Sequence, residues 1–391
     1  MSAIELYTQI HQALDTCVDE QVGEITRIRL ALLILGMIEA KSASPAQVAL
    51  ALHRLGLSHA QPASIERRIR RIENDPAITD VLCFHPFARQ RLLWGCPEEL
   101  LLILDPTTQD DRVYLVTVAV WYRGRALPLA WIAWEANTPL KGERFWARIA
   151  NLLTCVAELL PKGVKITWLA DRAFGTPAFT DLLLPYGWYY VVRVQGQTRC
   201  RDRQQREKQI RHLIHPLRRR GKMRGETFKK RGWRHNSMVA FWGKNHDSPL
   251  CLVSNLPLGW YLIRLYRRRY PIEATFRDYK SYGWQWERGQ VIDLDHIRHL
   301  LVAMAFASWF AIIVGAHFAD TWINQPASGR RRTVPWWGKR SLFFLGLHYL
   351  RCHIMGNQVV SLFWLLNDWT LLNWIEQNYF HHARAFVFAN R

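Results

Sequence analysis

The stretch that decides the fold starts with Leu100-Leu-Leu-Ile-Leu-Asp105, a short apolar run that leads directly into an acid. An apolar run of this length between polar residues is typical of a buried β-strand. Two further strand-like runs follow it, from Val113 to Trp121 and from Arg125 to Trp134, joined by a turn at Arg123-Gly124. Three strands joined by short turns predict one side of a β-sheet.

Helical and strand patterns alternate after these three strands. Glu143 to Leu160 has the pattern of a helix, and Val164 to Ala170 is an apolar run that ends at Asp171. A short helix from Pro177 to Leu184 and a strand from Trp188 to Val194 come next. This order predicts an α/β fold with a mixed sheet.

The chain before this region, residues 1–95, has helical patterns throughout. Helices are predicted from Glu24 to Ala40, from Pro45 to Leu55 and from Ser64 to Ile72. The third helix carries isoleucines on one side, and its arginines project elsewhere, namely Arg67, Arg68, Arg70 and Arg71. Two short helices with a basic second one favour a helix-turn-helix that contacts DNA. A solvated basic helix face is the alternative.

The composition indicates a folded protein with a polyanionic partner. Of the 391 residues, 49% are hydrophobic, and 52 Lys and Arg outnumber 32 acids, which gives a net charge of +20. Such an excess is typical of proteins that bind nucleic acid, and an anionic membrane surface is the weaker alternative. Seven scattered cysteines without a C-x-x-C pair disfavour a zinc site and indicate a reducing cytoplasm.

One segment, Leu300 to Ala319, is nearly all apolar and about long enough to cross a membrane. Because the rest of the chain is basic and has the composition of a soluble protein, we expect a buried core helix here and no contact with a membrane.

The most basic part of the chain is residues 193–234, with sixteen Lys or Arg and three acids. Strand-like runs follow it at Val239 to Trp242 and at Leu250 to Ser254. Aromatic residues lie among the basic ones, including Trp233 and Trp242. This mixture favours a folded, β-rich surface that faces nucleic acid over a disordered basic loop.

Three acids lie where chemistry is expected. Asp105 and Asp171 each end a predicted strand, and Glu273 belongs to a helix predicted to start at Pro271. Carboxylates gathered outside strand ends can hold two Mg²⁺ or Mn²⁺ ions. A single acid after a strand is more often a cap or a turn residue, so the prediction depends on all three together.

A spaced pattern surrounds the third acid. Tyr266, Arg269, Glu273 and Lys280 follow the spacing Y-x-x-R-x-x-x-E-x-x-x-x-x-x-K. Glu273 and Lys280 are about two helical turns apart and are predicted to share a helix face. A simple helix salt bridge between Arg269 and Glu273 is the alternative interpretation. With the two upstream acids in order, the pattern resembles the signature of the DDE insertion-sequence transposases.

The resemblance covers roughly residues 60–315 and implies a fold and a domain organisation. It implies a ribonuclease-H-like catalytic core in residues 96–320 with a β-strand insertion at about 195–258. A helical DNA-binding domain in residues 1–95 would precede the core. A helical region for dimerisation or DNA contact, residues 321–391, would follow it.

The resemblance also implies an activity. Such transposases bind terminal inverted repeats of double-stranded DNA, cut at the transposon ends and join the freed 3′-hydroxyls to target DNA, acting as a dimer in the synaptic complex. By similarity, Asp105, Asp171 and Glu273 would be the catalytic acids and the ligands of two Mg²⁺ or Mn²⁺ ions. The expected place of action is the bacterial cytoplasm, in association with the nucleoid. A relic that binds DNA without cutting it is the alternative.

Further DNA contacts follow from the same resemblance. Tyr266, Arg269 and Lys280 would contact phosphates near the cleaved end, and Arg172, directly after Asp171, is a further candidate. Related enzymes stack a flipped base on a tryptophan of the insertion. This chain has Cys251 at the aligned place, so the candidates for stacking are Trp242 and Trp233.

Overall fold

The computed structural model describes residues 3–95, 98–244, 247–289, 291, 293–323 and 341–355. The chain begins with helices, which are α1 (Ala3–Cys17), α2 (Glu24–Ala40), α3 (Pro45–Arg54), α4 (Pro62–Glu73) and α5 (His85–Gly95). The bounds of α2 agree with the sequence prediction, and α3 ends one residue earlier than predicted. Ile65, Ile69 and Ile72 are buried as the pattern of α4 indicated.

A mixed sheet follows the helices. Its first five strands are β1 (Glu99–Gln109), β2 (Val113–Tyr122), β3 (Arg125–Glu135), β4 (Lys165–Ala170) and β5 (Tyr189–Val194). β1, β2 and β3 are antiparallel neighbours, whereas β4 runs parallel to both β1 and β5. The helices α6 (Gly142–Leu159) and α7 (Pro177–Leu183) connect the parallel strands. The predicted α/β class with a ribonuclease-H-like mixed sheet is thereby confirmed.

The basic segment forms more strands of the same sheet. These are β6 (Arg199–Arg201), β7 (Glu207–Gln209), β8 (Arg220–Thr227), β9 (Arg234–Phe241) and β10 (Leu250–Ser254). All five fall inside the predicted insertion, and β10 pairs directly with β5. The described residues thus form one ten-stranded sheet with the order β3-β2-β1-β4-β5-β10-β9-β8-β6-β7.

Each face of the sheet is covered by different helices. The larger core lies on one face and contains apolar residues of the N-terminal helices, α6 and α10 (Leu294–Ile323), and α11 (Leu342–Met355) joins it. A smaller core lies on the other face, under α8 (Tyr261–Arg267) and α9 (Pro271–Arg277). The helix start at Pro271 agrees with the prediction.

The apolar segment near residue 300 lies inside α10. This helix is long and apolar enough to cross a membrane, but 89% of its most apolar stretch is buried inside the protein. The Trp309 indole donates a hydrogen bond to the Pro128 carbonyl of β3 (2.7 Å). α10 therefore packs as the core helix that we expected.

Two expectations about the organisation of the chain need comment. Asp105 does not end its strand, because β1 continues to Gln109 and Asp105 pairs with Thr117 of β2. The domain boundaries after residues 95 and 320 stay predictions. Most of the predicted C-terminal region, residues 321–391, lies outside the described residues, apart from the end of α10, residue 341 and α11.

Candidate active site

Two of the three predicted acids lie side by side at one edge of the parallel strands. Leu104 of β1 is paired with Ala170 of β4. Asp105 and Asp171 directly follow these two residues and therefore lie next to each other. Neighbouring strands are about 4.8 Å apart. The register between β1 and β4 therefore brings the two acids together, although only Asp171 lies at the end of its strand.

Both acids point to the face that α8 and α9 cover. Side chains alternate between the two faces of a strand. Ile103 and Leu169 belong to the smaller core on that face, and each lies two residues before one of the acids. The sheet itself thus aims the Asp105 and Asp171 carboxylates at the segment that carries Glu273.

A basic residue, Arg193 of β5, continues this row and was missed from the sequence. Val191, two residues earlier, also belongs to the smaller core. The Arg193 guanidinium lies 3.6 Å from a carboxylate oxygen of Asp171. The only sequence signal was an arginine in an otherwise apolar strand, and its meaning depends on β5 lying beside β4.

Gly175 helps to bring these two strands' ends together. A Cβ atom at this position would collide with the backbone carbonyl of Arg193. The glycine of the Asp171-Arg-Ala-Phe-Gly175 sequence is therefore needed for close approach of the loop after β4 to β5.

The α8–α9 segment places its signature residues over the two aspartates. The Arg269 guanidinium donates one hydrogen bond to Asp105 (2.7 Å) and another to Glu273 (2.8 Å). The Tyr266 hydroxyl donates to Asp171 (3.1 Å). The Arg269–Glu273 ion pair of the alternative interpretation thus exists, but the same guanidinium also holds Asp105.

Exposure increases steadily from the base of this cluster to its rim. The side chains of Arg269 and Asp105 are 5% and 11% exposed, whereas Asp171 is 33% and Glu273 is 58% exposed. Asp171 and Glu273 are therefore the acids that a substrate can reach, and Glu273 has room to move.

Burial also changes the acid–base properties of the cluster. Burial raises the pKa of Asp105 to about 7. The Arg269 guanidinium partly offsets this increase, whereas the Asp171 and Glu273 carboxylates add to it. Burial raises the pKa of the Tyr266 hydroxyl well above its usual range. Tyr266 is therefore a hydrogen-bond donor at neutral pH and not a base.

The donor set suits a hard divalent cation, since it consists of carboxylate oxygens. In the part of the chain that the structure describes, however, no three Asp, Glu, His or Cys side chains come close enough to share a metal ion. The Arg269 guanidinium lies between the carboxylates of Asp105 and Glu273. The residues thus fit a metal by their chemistry, and metal binding requires Arg269 and Glu273 to move apart.

Lys280 differs from the prediction in its backbone. The α-helix ends at Arg277, and Asp278–Tyr282 form a π-helical turn. The seven residues from Glu273 to Lys280 therefore do not form two regular α-helical turns, and the shared face of these two residues stays a prediction. The Lys280 ammonium lies 3.4 Å from a carboxylate oxygen of Glu287.

Two buried contacts fasten α9 to β3. Arg125 forms an ion pair with Asp278, with side chains only 7% and 14% exposed. The Thr275 hydroxyl donates a hydrogen bond to the backbone carbonyl of Ala126 (2.9 Å). Because Glu273 lies two residues before Thr275, these contacts fix the position of its helix over the sheet.

The other predicted DNA-binding residues lie outside this cluster. Arg172 is exposed in the turn after β4. The four arginines of α4 are exposed, and one of them, Arg70, pairs with Glu66 at 2.8 Å. These positions leave them accessible to a ligand, and their DNA contacts stay predictions.

The tryptophans of the insertion lie at opposite ends of β9. Trp242 follows the end of β9 nearer to Asp171 and is 38% exposed. Trp233 precedes the other end, and the Arg201 guanidinium lies 4.4 Å from its ring centre. Cys251 is fully buried on the far face of the sheet and cannot stack on a base. Both tryptophans stay candidates for stacking, and Trp242 is the one nearer to the acids.

Comparison with known proteins agrees with the resemblance of the motif. Residues 148–310 match the family described as Transposase DDE domain. This range contains Asp171, Arg193 and Glu273, and it begins after Asp105. The recognition of a DDE transposase is thereby confirmed for this part of the chain. A comparison with curated proteins finds no match.

Among solved structures, nine chains match. One is a cryo-EM structure of a piggyBac transposase synaptic complex with hairpin DNA, with 12% sequence identity and a TM-score of 0.40. The alignment covers 91% of this chain and 84% of that chain. At this level of similarity, the comparison does not bear on individual residues.

Proposed function

We propose that this protein is a DNA transposase that binds terminal inverted repeats, cleaves at the transposon ends and transfers the strands to target DNA. One observation carries the proposal. Asp105 and Glu273 share the Arg269 guanidinium, and Asp171 lies beside Asp105 at the same end of the parallel strands of a ribonuclease-H-like sheet. The family match over residues 148–310 supports the same class of enzyme.

The charge of the protein supports DNA as the partner. A net charge of +20 attracts a polyanion over long range and speeds its association. Since transposition joins two ends, we infer a dimer on DNA, acting at the nucleoid in the bacterial cytoplasm.

The three acids would hold two Mg²⁺ or Mn²⁺ ions. Bound at these carboxylates, such ions would activate a water or a 3′-hydroxyl and stabilise the charge on the leaving oxygen. In this proposal, Arg269 and Glu273 give up their contact with each other and take new partners. Glu273 is largely exposed and can swing toward the two aspartates, which frees the Arg269 guanidinium to donate to a phosphate.

The remaining side chains hold the DNA strand in place. Tyr266 donates a hydrogen bond beside Asp171, and Arg193 adds a positive charge on the other side of that acid. Both can contact a phosphate that lies over Asp171. Lys280 is 26% exposed and can supply a further charge to the same strand.

Replacing one acid tests this function. Glu273→Gln keeps the size of the side chain but removes the charge that metal binding needs, so it should abolish metal-dependent strand cleavage. DNA ends taken from the flanks of its own gene are the substrate, and gel mapping of the cut strands is the measurement. Binding of the same DNA should be nearly unchanged.

The matched control is Asp111→Asn, which neutralises an exposed acid in the β1–β2 turn. This variant should cut like the unmodified protein. Cleavage that survives Glu273→Gln would overturn the proposed function.

The second candidate is a protein that occupies DNA ends without cutting them. It is favoured by the arrangement in which Arg269 lies between two acids and the described carboxylates share no metal site. The same assay separates the two, because the unmodified chain of a non-cutting protein would leave the DNA intact with Mg²⁺ or Mn²⁺ present.

A further inference from the structure

A group of exposed cations lies on the same face of the sheet as the acids. Arg220 and Lys222 are two residues apart on β8 and therefore point to one face. They are paired with Phe241 and Val239 of β9, and Val239 belongs to the smaller core under α8. Both cations thus face the side on which α8 and α9 lie.

Aromatic rings hold these cations at the surface. The Arg220 guanidinium and the Lys222 ammonium lie 4.9 Å and 5.5 Å from the ring centre of Trp260. Arg267 of α8 lies 6.0 Å from the ring centre of Phe241. Such contacts orient a cation without neutralising it. We call Arg220, Lys222 and Arg267, with these two rings, the cationic strip.

Among the residues that the structure describes, carboxylates do not neutralise the strip. They do neutralise four other cations of the insertion at 2.5 to 2.9 Å, in the pairs Arg201–Glu226, Arg206–Asp202, Lys229–Glu207 and Arg234–Asp181. Within the described ranges, none of the three cations of the strip forms such an ion pair. All three are exposed. Their charge is therefore available to a ligand.

The register of the sheet gives the distance from the strip to the acids. Lys222 is paired with Val239, Val239 with Leu252, and Leu252 with Arg193. Arg193 in turn lies beside Asp171, since the preceding residues Val192 and Ala170 are paired. Four steps of about 4.8 Å place the strip roughly 19 Å from Asp171 along one row.

We propose that the cationic strip binds the phosphate backbone of the DNA strand within about six nucleotides of the bond that is cut, since successive bases are about 3.4 Å apart along a strand. The proposal rests on the proposed function, because it places the cut bond at Asp171. It assigns to the insertion a defined contact, at a fixed distance from the acids. The partner is DNA because three unneutralised cations in a row suit a regularly repeated phosphate.

A triple variant tests the proposal in binding alone. Arg220→Gln, Lys222→Gln and Arg267→Gln together remove three charges from exposed positions. Binding of a labelled duplex from the flank of its own gene is measured without divalent metal over a range of salt concentrations. The slope of log affinity against log salt should fall in magnitude by about 2 to 3.

The matched control removes three exposed charges that lie away from the strip and that no carboxylate neutralises in the described residues. Lys230→Gln and Arg231→Gln lie beyond Thr227, about 24 Å along the strand from Arg220, and Arg203→Gln lies in the β6–β7 turn. This control should change the slope much less. An unchanged slope in the strip variant, or an equal change in both variants, would overturn the proposal. Unchanged circular dichroism and thermal midpoints show that both variants are folded.

Shortened DNA gives the second measurement. Two trimmed duplexes are made, each shortened to fewer than about six nucleotides on one side of the cut bond. The strip variant and the unmodified protein should bind equally to the duplex that lacks the side contacted by the strip. Persistence of the difference with both would place the contact elsewhere. The trimmed duplexes require a cut bond located beforehand by gel mapping with the unmodified protein, whereas the salt slope requires no cleavage. Failure of the strip and failure of the proposed function are therefore distinguishable.

Discussion

Arg269 is the residue at which the charges of the candidate site meet. It holds Asp105 and Glu273 through two separate N–H groups, and Asp171 lies close enough to affect the same aspartate. Burial is the main reason why Asp105 keeps its proton to a higher pH than an exposed aspartate. The Arg269 guanidinium partly offsets this effect on the pKa, and the Asp171 and Glu273 carboxylates add to it.

This raised pKa predicts a pH dependence of stability. The pKa of Asp105 is about 7 in the folded protein, and an unfolded aspartate has a pKa of about 3.9. The stabilisation from its bound proton is fully present below about pH 4 and is lost as the pH rises through about 7. Asp105→Asn should remove this loss, so that the free energy of unfolding falls less with pH in the variant.

Urea unfolding at several pH values without divalent metal measures the difference between the two proteins. The difference in free energy of unfolding between the variant and the unmodified protein should therefore change with pH and become constant only below about pH 4. Parallel curves for the variant and the unmodified protein would contradict the prediction.

The residues of the site were not equally predictable. Asp105, Asp171 and Glu273 could be found because an acid next to an apolar run or within a spaced motif is conspicuous in the sequence. Arg193 could not, because an arginine in a strand is ordinary until the strand's neighbour is known. Its role depends on β5 pairing with β4, which is a long-range register that local patterns do not contain.

At the scale of elements, α9 depends on contacts at its C-terminal end. The Arg125–Asp278 ion pair and the Thr275 hydrogen bond join it to β3. Removing one partner of a buried ion pair leaves the other charge without compensation. The position of Glu273 is therefore coupled to a residue five positions further along the chain.

Asp278→Asn should accordingly lower the free energy of unfolding by about 3–5 kcal/mol, because it leaves the Arg125 guanidinium buried and uncompensated. Denaturant unfolding measures the loss. Arg277→Gln, at the exposed neighbouring position, is the control and should change stability by less than about 0.5 kcal/mol. A similar small effect for Asp278→Asn would mean that the pair does not hold the helix.

The elements were predicted well where apolar patterns are strong and poorly where the backbone departs from regular form. The strands from Val113 to Trp121 and from Arg125 to Trp134 match β2 and β3 within one residue at each end. The π-helical turn at Asp278–Tyr282 carries no such pattern. It begins at Asp278, which pairs with Arg125 of β3, and the spacing of the motif does not reveal this long-range contact.

At the scale of the whole molecule, the N-terminal helices and the sheet share one core. Phe84, which directly precedes α5, lies 5.3 Å from Trp131 of β3 and 5.2 Å from Phe306 of α10, measured between ring centres. The helical region is thus joined to the ribonuclease-H-like core by closely packed aromatic residues. DNA held by α4 would be held in a fixed relation to the acids.

Phe84→Ala should therefore destabilise the whole protein by about 3–5 kcal/mol and not the helices alone. Circular dichroism and tryptophan fluorescence, followed in one urea titration, should show the same shifted transition. Val81→Ala, at a position that is 60% exposed, is the control and should shift neither signal. Two separated transitions in the Phe84 variant would show that the helices unfold as an independent domain.

The pairing of β10 with β5 has a mechanical consequence. Four residue pairs join the insertion to the strand that carries Arg193, and a hydrogen-bonded ladder resists bending far more than a linker does. The insertion is therefore a stiff extension of the sheet and cannot close over DNA as a lid. A DNA strand bound at the acids, as proposed, would therefore have to follow the shape of the sheet and of this extension.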